Sequence, residues 1–354
     1  MSFIAALPMY DWPETQAEID MEWRRLRALL RRAGIDAPEM IVRRNADMPA
    51  VPGGIRDQGG AVIAPDPATL PPDELYRETL WRHPMLLLAQ ACWGPMELGL
   101  AEHVQVVGQP SYDGFEGGKG SLYSSAILMR AMKRDDVGRS PVAPPSVLPD
   151  ISPTSGEIGP SSTISLVSNV DDWRNRGGSP ISPLVGEMSG RTEGGNVERH
   201  RGNDASPSRD GVPIIPLDLL RGRRFAYNSL DSMSGILALT RDLEGMGQML
   251  DIFSERIESG AHRASIVAVT EGKADVCAID CRSWHMAKRH EPKAAEVQVV
   301  GWTGMRKGLP MITSRHTPPE IVEKLRDIWS LQEISAQAAG HRADSSTASR
   351  SPSR

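Results

Sequence analysis

Cysteine is scarce. Cys92, Cys277 and Cys281 are the three thiols in 354 residues, enough for one disulfide at most, so no disulfide framework holds this chain and the count fixes no redox compartment. An excess of either charge is also lacking. Forty Lys plus Arg stand against 45 Asp plus Glu, for a net charge of -5, which gives no strong field to recruit nucleic acid or an anionic membrane. Nor is there a long apolar run. The most apolar stretch, 84–101, is broken by Gly94-Pro95 and Glu97 and falls short of the roughly 20 residues a spanning helix needs. The first residues, Met1 to Met9, carry no Lys or Arg before their apolar run and lead straight into Tyr10-Asp11, so no secretory signal is read there and export by that route is not expected. Two catalytic signatures are missing as well. No serine sits in a G-x-S-x-G elbow, and the glycines from Gly114 to Gly120 match neither a Walker loop nor a strand-to-helix G-x-G-x-x-G.

What remains is ordinary soluble material, 40% hydrophobic and 24% charged, long enough at about 150 residues per domain for roughly two globular units. Residues 3–9 read as a buried first strand. The spacing of Ile19, Trp23, Leu26, Leu30 and Ala33 predicts an amphipathic helix over 14–33, stopped by Gly34. Strands are expected at 40–42 and 61–64, a helix over 71–82, a buried run over 86–92, and strands at 104–107 and 122–129. Strand, helix, strand is read as the start of a parallel α/β sheet. After Lys133 the composition turns to Ser, Pro, Gly and Arg, with Trp173 nearly alone among aromatics. Such a stretch buries too little apolar surface to offset its ordering entropy, so 133–211 is expected to be a disordered insertion. Pieces within it, 145–157 and 182–195, resemble translated bacterial intergenic palindromic repeats. A functional linker or partner-binding segment is the other reading. Beyond it the pattern predicts a strand at 223–227, a helix opening in 228–235 and running through 250, a helix over 262–271, a strand at 274–279, a helix over 281–290, and strands at 297–302 and 309–313. A last helix is capped by Thr317-Pro-Pro-Glu320. The tail from 334 to 354 is expected to be disordered.

The most informative chemistry lies in Asn228-Ser229-Leu-Asp231-Ser232-Met-Ser234-Gly235. A helix N-terminus offers unpaired backbone N–H groups and partial positive charge, and hydroxyls beside it suit a tetrahedral oxyanion. An ordinary N-cap by Asp231 or Ser232 explains the same residues equally well. His262, at another helix start, could donate to an anion or simply be a loop residue. Asp280 ends a strand at the sheet edge where ligands bind in open α/β folds, and it could equally cap the helix from Cys281. Tyr10 has the same placement after the first strand. Ser232, His262 and Asp280 are the residue types of a triad but lack the elbow. Cys277, Cys281, His285 and His290 are divided between a strand and a helix and would not converge on zinc.

In order along the chain, Met9-Tyr-Asp11, the run 86–92, Val106-Val-Gly-Gln-Pro-Ser-Tyr112, the run 222–235, Gly260-Ala-His-Arg-Ala-Ser265, Ala274 to Asp280 and Val300-Gly-Trp302 with 309–314 resemble the PhnD-like substrate-binding proteins of phosphate, phosphite and phosphonate ABC transporters. The resemblance covers nearly all of 1–130 and 212–332. It implies an α/β fold of the two-lobed type II periplasmic-binding-protein class, with lobe one at 1–126 plus 306–333 and lobe two at 127–305. It further implies a non-enzymatic, cofactor-free and metal-free monomer that takes a small oxyanion to a permease and ATPase. Ser229, Ser232, Ser234, Asn228 and His262 would hold the anion, Asp280 would accept from protonated oxygens or an amine, and Tyr10 and Tyr123 would approach from the facing lobe. The family is periplasmic, whereas no leader is read in this chain as written, so either the true start lies upstream or, if the start is correct, the protein is cytoplasmic. An intracellular enzyme or sensor on the same fold, with His262 and Cys281 reactive, is the alternative. A relic disrupted by the insertion is a third.

Overall fold

The computed structural model describes residues 3–131 and 204–330. The first part gives β1 (Ile4–Ala6), α1 (Gln16–Arg32), β2 (Ile55–Arg56), β3 (Val62–Ala64), α2 (Arg77–Arg82), β4 (Leu86–Gln90), α3 (Trp93–Glu97), β5 (Val104–Gly108), β6 (Gly118–Lys119), β7 (Leu122–Tyr123) and β8 (Ser125–Arg130). The second gives α4 (Leu217–Leu220), β9 (Arg224–Tyr227), a π-helical turn (Met233–Leu237) running into α5 (Ala238–Gly245), β10 (Glu255–Glu258), α6 (His262–Thr270), β11 (Val276–Asp280), α7 (Cys281–His290), β12 (Val297–Trp302), β13 (Arg306–Lys307) and β14 (Met311–Ser314). A final helix, α8, runs over 319–330.

Two mixed sheets organise these elements, in the orders β1-β4-β14-β5 and β10-β9-β11-β8-β12. The α/β class expected from the sequence is the one found. β4 and β11 are buried along their whole length, which is why both read as continuous apolar runs rather than alternating ones. α1 turns Ile19, Trp23, Leu26 and Leu30 into the core, the face its spacing predicted. The chain passes between the sheets along two adjacent strands of backbone. β7 pairs with β13, and beside them Ser125 N donates to Thr303 Oγ1 at 2.8 Å while Thr303 N donates to Ser125 O at 2.9 Å.

Five expectations need correction. Residues 40–42 form no strand; Val42 N donates to Ala5 O at 2.7 Å, and the ladder stops there. Residues 61–64 do supply β3, but it pairs with β2 in a separate hairpin, and the partner of β1 is β4. The helix expected from 71 starts only at Arg77, because 71–76 wrap around buried Asn45. That side chain donates to Pro71 O at 2.8 Å and accepts from Tyr76 N at 2.9 Å. The helix expected through 250 ends at Gly245. Thr317 also does not close a capping box; its hydroxyl lies 2.7 Å from Thr313 Oγ1.

The expected insertion, 133–211, falls mostly outside the described residues, as does the tail from 334. Its last part belongs to the fold. Val299 N donates to Asp204 Oδ1 and Ala205 N donates to Val299 O, so 204–205 lie against β12, while Gly211 O accepts from Met305 N just beyond it. β8, the strand preceding the insertion, keeps its full register with β11. Asp280 lies opposite Ser125 at one end of that ladder, and the insertion follows the other end.

Candidate functional site

A cavity of about 450 Å³ is lined by residues from both sheets, among them Tyr10, Asn228, Ser229, Ser232, Ser234, His262 and Asp280. Seven of the eight residues singled out in the sequence therefore surround one space. Tyr123 does not line it; it is buried behind, 5.2 Å from Tyr112 between ring centroids.

Each wall follows from local sequence. β9 ends at Tyr227, and 228–232 turn into the π-helical turn, whose extra residue shows in Leu237 N donating to Ser232 O at 3.1 Å. Ser232 Oγ accepts from Gly235 N at 3.0 Å, so it is the N-cap. The cap and the cavity wall are thus the same side chain. Gly235 is required here: a Cβ would sit 1.9 Å from Asn228 Oδ1. Gly94 is equally constrained, since a Cβ on it would lie 1.7 Å from Asp231 O. That close approach seats α3 against the 228–232 loop. Replacing Ser232 by Ala is expected to cost about 1 kcal/mol from the lost cap, read as a lower urea midpoint at unchanged slope.

Asp280 likewise serves two purposes. Oδ1 caps α7, accepting from Arg282 N at 3.1 Å and Ser283 N at 2.9 Å, and also accepts from Tyr10 OH at 3.1 Å. A carboxylate only accepts, which fixes a chain of donors. Tyr10 donates to Asp280, Tyr112 donates to Tyr10 across 3.1 Å, and Leu309 N donates to Tyr112 OH at 3.1 Å. Burial first, then the Asp280 charge, raises Tyr10 well above its ordinary value, so it remains a neutral donor. The Arg282 guanidinium lies 4.2 Å from the Tyr10 ring centroid and holds it flat.

His262 Nε2 is 3.0 Å from Ser234 Oγ and 3.4 Å from Asp280 Oδ2. Serine and carboxylate share one nitrogen, whereas a nucleophilic triad puts them on opposite nitrogens of the ring. His262 Nδ1 and Asn228 Oδ1 are buried with no hydrogen-bond partner among the described residues. Burial lowers the His262 pKa, against the raising influence of Asp280, so the folded chain holds a neutral imidazole. The unfolded chain then binds more protons, and stability is lost as pH falls below the ordinary histidine value of about 6.5. His83 and His285 are lowered by burial in the same direction. His262→Gln is therefore expected to flatten part of the fall in melting temperature between pH 7 and pH 5. An unchanged slope would contradict this.

Burial pushes the Cys281 thiol far above its ordinary range, which leaves it protonated and unreactive. Among the described residues no group of three or more His, Cys, Asp or Glu could hold a metal ion, and no helix is long and apolar enough to cross a membrane. Sequence reasoning missed Trp12, Arg77, Trp81, Cys92 and Ser283, which also line the cavity. Met233 N approaches Cys92 Sγ at 3.4 Å. Of these, Cys92 and Trp12 lay in or beside stretches already singled out, Trp12 directly after Tyr10 and Asp11 at the end of the first strand.

Residues 208–341 match the family described as ABC transporter, phosphonate, periplasmic substrate-binding protein. The PhnD-like resemblance read from the sequence holds over that stretch, which carries six of the seven cavity residues above. No curated protein sequence matches the chain. Among solved structures it is similar to PhnD1 of Prochlorococcus marinus in complex with methylphosphonate, at 12% identity over 92% of this chain and 83% of that one, TM-score 0.48. A binding-protein component of a Pseudomonas aeruginosa ABC phosphonate transporter is similar at 13% identity over 92% and 73%, TM-score 0.43. A histidine kinase sensor domain with similarity to periplasmic binding proteins gives 10% over 97% and 95%, TM-score 0.43. These last three are distant likenesses.

Proposed function

We propose that the chain captures a small tetrahedral oxyanion, phosphonate-like or phosphate-like, between two lobes and delivers it to an ABC permease and its ATPase. The lobes would be 1–126 with 306–333, and 127–305, hinged where β7 and β13 run side by side and closing on the ligand. The observation that carries this reading is the convergence of Ser229, Ser232, Ser234, Asn228 and His262 on one cavity with Tyr10 and Asp280. Neutral donors predominate. Asp11, also at the cavity, is taken up by Arg43, with Nε to Oδ2 at 2.6 Å, and Arg263 by Glu14 and Glu291. Arg77, which also lines the cavity, would add positive charge to the hydrogen-bond geometry that selects the anion, and the Asp280 carboxylate would accept from a protonated ligand oxygen or a ligand amine. Unpartnered Nδ1 of His262 and the side-chain amide of Asn228 provide further hydrogen-bonding capacity inside the wall.

Capture without chemical change is favoured over catalysis by the shared nitrogen of His262 and by the protonated, buried Cys281. A thermal-shift screen of phosphate, phosphite, alkylphosphonates and sulfonates tests the reading, because a ligand that binds only the folded state raises its melting temperature. At least one phosphorus oxyanion should stabilise the chain by several degrees. No shift with any of them would defeat the proposal.

A further inference from the structure

A second polar pocket, of about 250 Å³, lies at the other end of the first sheet. Its walls are the ends of four elements: Arg56 closing β2, Arg82 closing α2, His103 just before β5, and Arg315 with His316 just after β14. β4 and β5 both run antiparallel to β14. The starts of β4 and β5 and the end of β14 therefore gather at one edge, while Met9 N reaches Gln90 Oε1, at the end of β4, on the opposite edge. Five residues of β4 separate the two edges, about 16 Å at 3.3 Å per residue. The pocket is not an extension of the cavity described above.

Its charges are only partly answered. Arg82 pairs with Glu78, but among the described residues neither Arg56 nor Arg315 has a carboxylate within ion-pair distance. Arg56 Nη1 donates to Gly60 O at 2.7 Å and Nη2 to Gly53 O at 3.4 Å, which fixes its guanidinium over the β2–β3 turn. The Arg315 backbone is fixed to His103 O at 3.1 Å, so the two basic residues are held side by side. Two carboxylates share the lining. Asp57 is engaged by Ala61 N at 2.9 Å, and Glu102 is the other.

We propose that this pocket is a separate site for a phosphate group bearing at least one O–H, either inorganic phosphate or the phosphate of a small alcohol ester. Planar guanidinium forks match phosphate oxygens, and Glu102 complements the remaining hydroxyl. The volume, about eight waters at roughly 30 Å³ each, admits the phosphate with a short polar substituent and excludes a large one.

Calorimetric titration of the full chain with inorganic phosphate, and separately with glycerol 3-phosphate, tests the assignment. Arg315→Gln should weaken binding at this site at least tenfold, as expected for a lost hydrogen bond to a charged group, while a Ser234→Ala, His262→Ala double variant leaves it intact. Arg315 is exposed, so this variant should fold, and a charge-reversing Arg56→Glu provides an independent second probe. Binding of phosphate alone, or of the ester as well, identifies the source and supports the site. Titrations that Arg315→Gln and Arg56→Glu both leave unchanged, or the absence of binding in the inner-cavity double variant, would overturn it. Failure of the inner site would show instead as phosphate binding that the double variant does not alter.

Discussion

Asp280→Ala should destabilise the fold by about 2–4 kcal/mol and remove oxyanion capture together with it. The first part is built from two separate losses. Arg282 N and Ser283 N lose their acceptor at the start of α7, which costs about 1 kcal/mol for an N-cap. Tyr10 OH, buried at 2% exposure, loses the acceptor that ends the donor chain from Leu309, at about 1–3 kcal/mol for an orphaned buried donor. Asp280→Asn separates the two consequences. It keeps the side-chain shape and an acceptor for the cap, so most stability should survive, while the negative charge that would accept from a protonated oxygen or amine is gone. Urea unfolding of both variants checks the first part, and titration with an alkylphosphonate checks the second. Equal stability of the wild type and Asp280→Ala would contradict the hydrogen-bond network described for this residue.

Trp302→Ala should be costlier still for the fold, about 3–5 kcal/mol by the usual range for a buried tryptophan. Trp302 is fully buried at the end of β12. Its ring fills the space over Gly117, where a Cβ would come within 2.4 Å of Cζ3, and its indole N–H donates to Ala205 O at 2.6 Å. One side chain thus holds together the 117 turn, β12 and the segment that returns from the insertion. Trp302→Phe should recover most of the loss, since it restores ring volume and leaves only Ala205 O without its donor. The urea midpoint reports both, and a Trp302→Ala loss below about 1 kcal/mol would show that 204–205 packs independently of this ring.

The same residues explain how far the sequence could be read. β4 and β11 were legible because strands buried on both faces read as unbroken apolar runs, and α1 because Trp23, Leu26 and Leu30 recur at helical spacing on one face. The start of α2 was not legible. What decides it is Asn45, some 30 positions away, whose side chain bonds Pro71 and Tyr76 and holds 71–76 as turns. The end of the insertion was misplaced for a related reason: 204–211 has a loop-like composition, and it is held by hydrogen bonds to β12 and to Met305 that no local pattern reveals. In the candidate site, Ser232 and Asp280 had been open between capping and lining, and they do both, because a cap at the edge of a sheet necessarily faces the space beyond it. Tyr123 was placed in the cavity by resemblance, yet it sits one layer behind, against Tyr112. Trp12 follows Tyr10 at the end of the first strand and shared its placement signal, whereas Arg77 and Trp81 carried none, since nothing in their neighbours distinguishes a cavity wall from a core or surface position.

The most direct test is calorimetric titration of a short alkylphosphonate and of phosphate into the wild type and into the Ser234→Ala, His262→Ala double variant. Capture by the cavity predicts one alkylphosphonate or phosphate equivalent bound there by the wild type. It also predicts a loss of at least tenfold in affinity in the double variant, from two missing hydrogen bonds to a charged ligand, with the urea midpoint lowered far less than in Trp302→Ala. Binding of equal affinity in both proteins, with the double variant fully folded, would contradict the assignment of the oxyanion to Ser234 and His262.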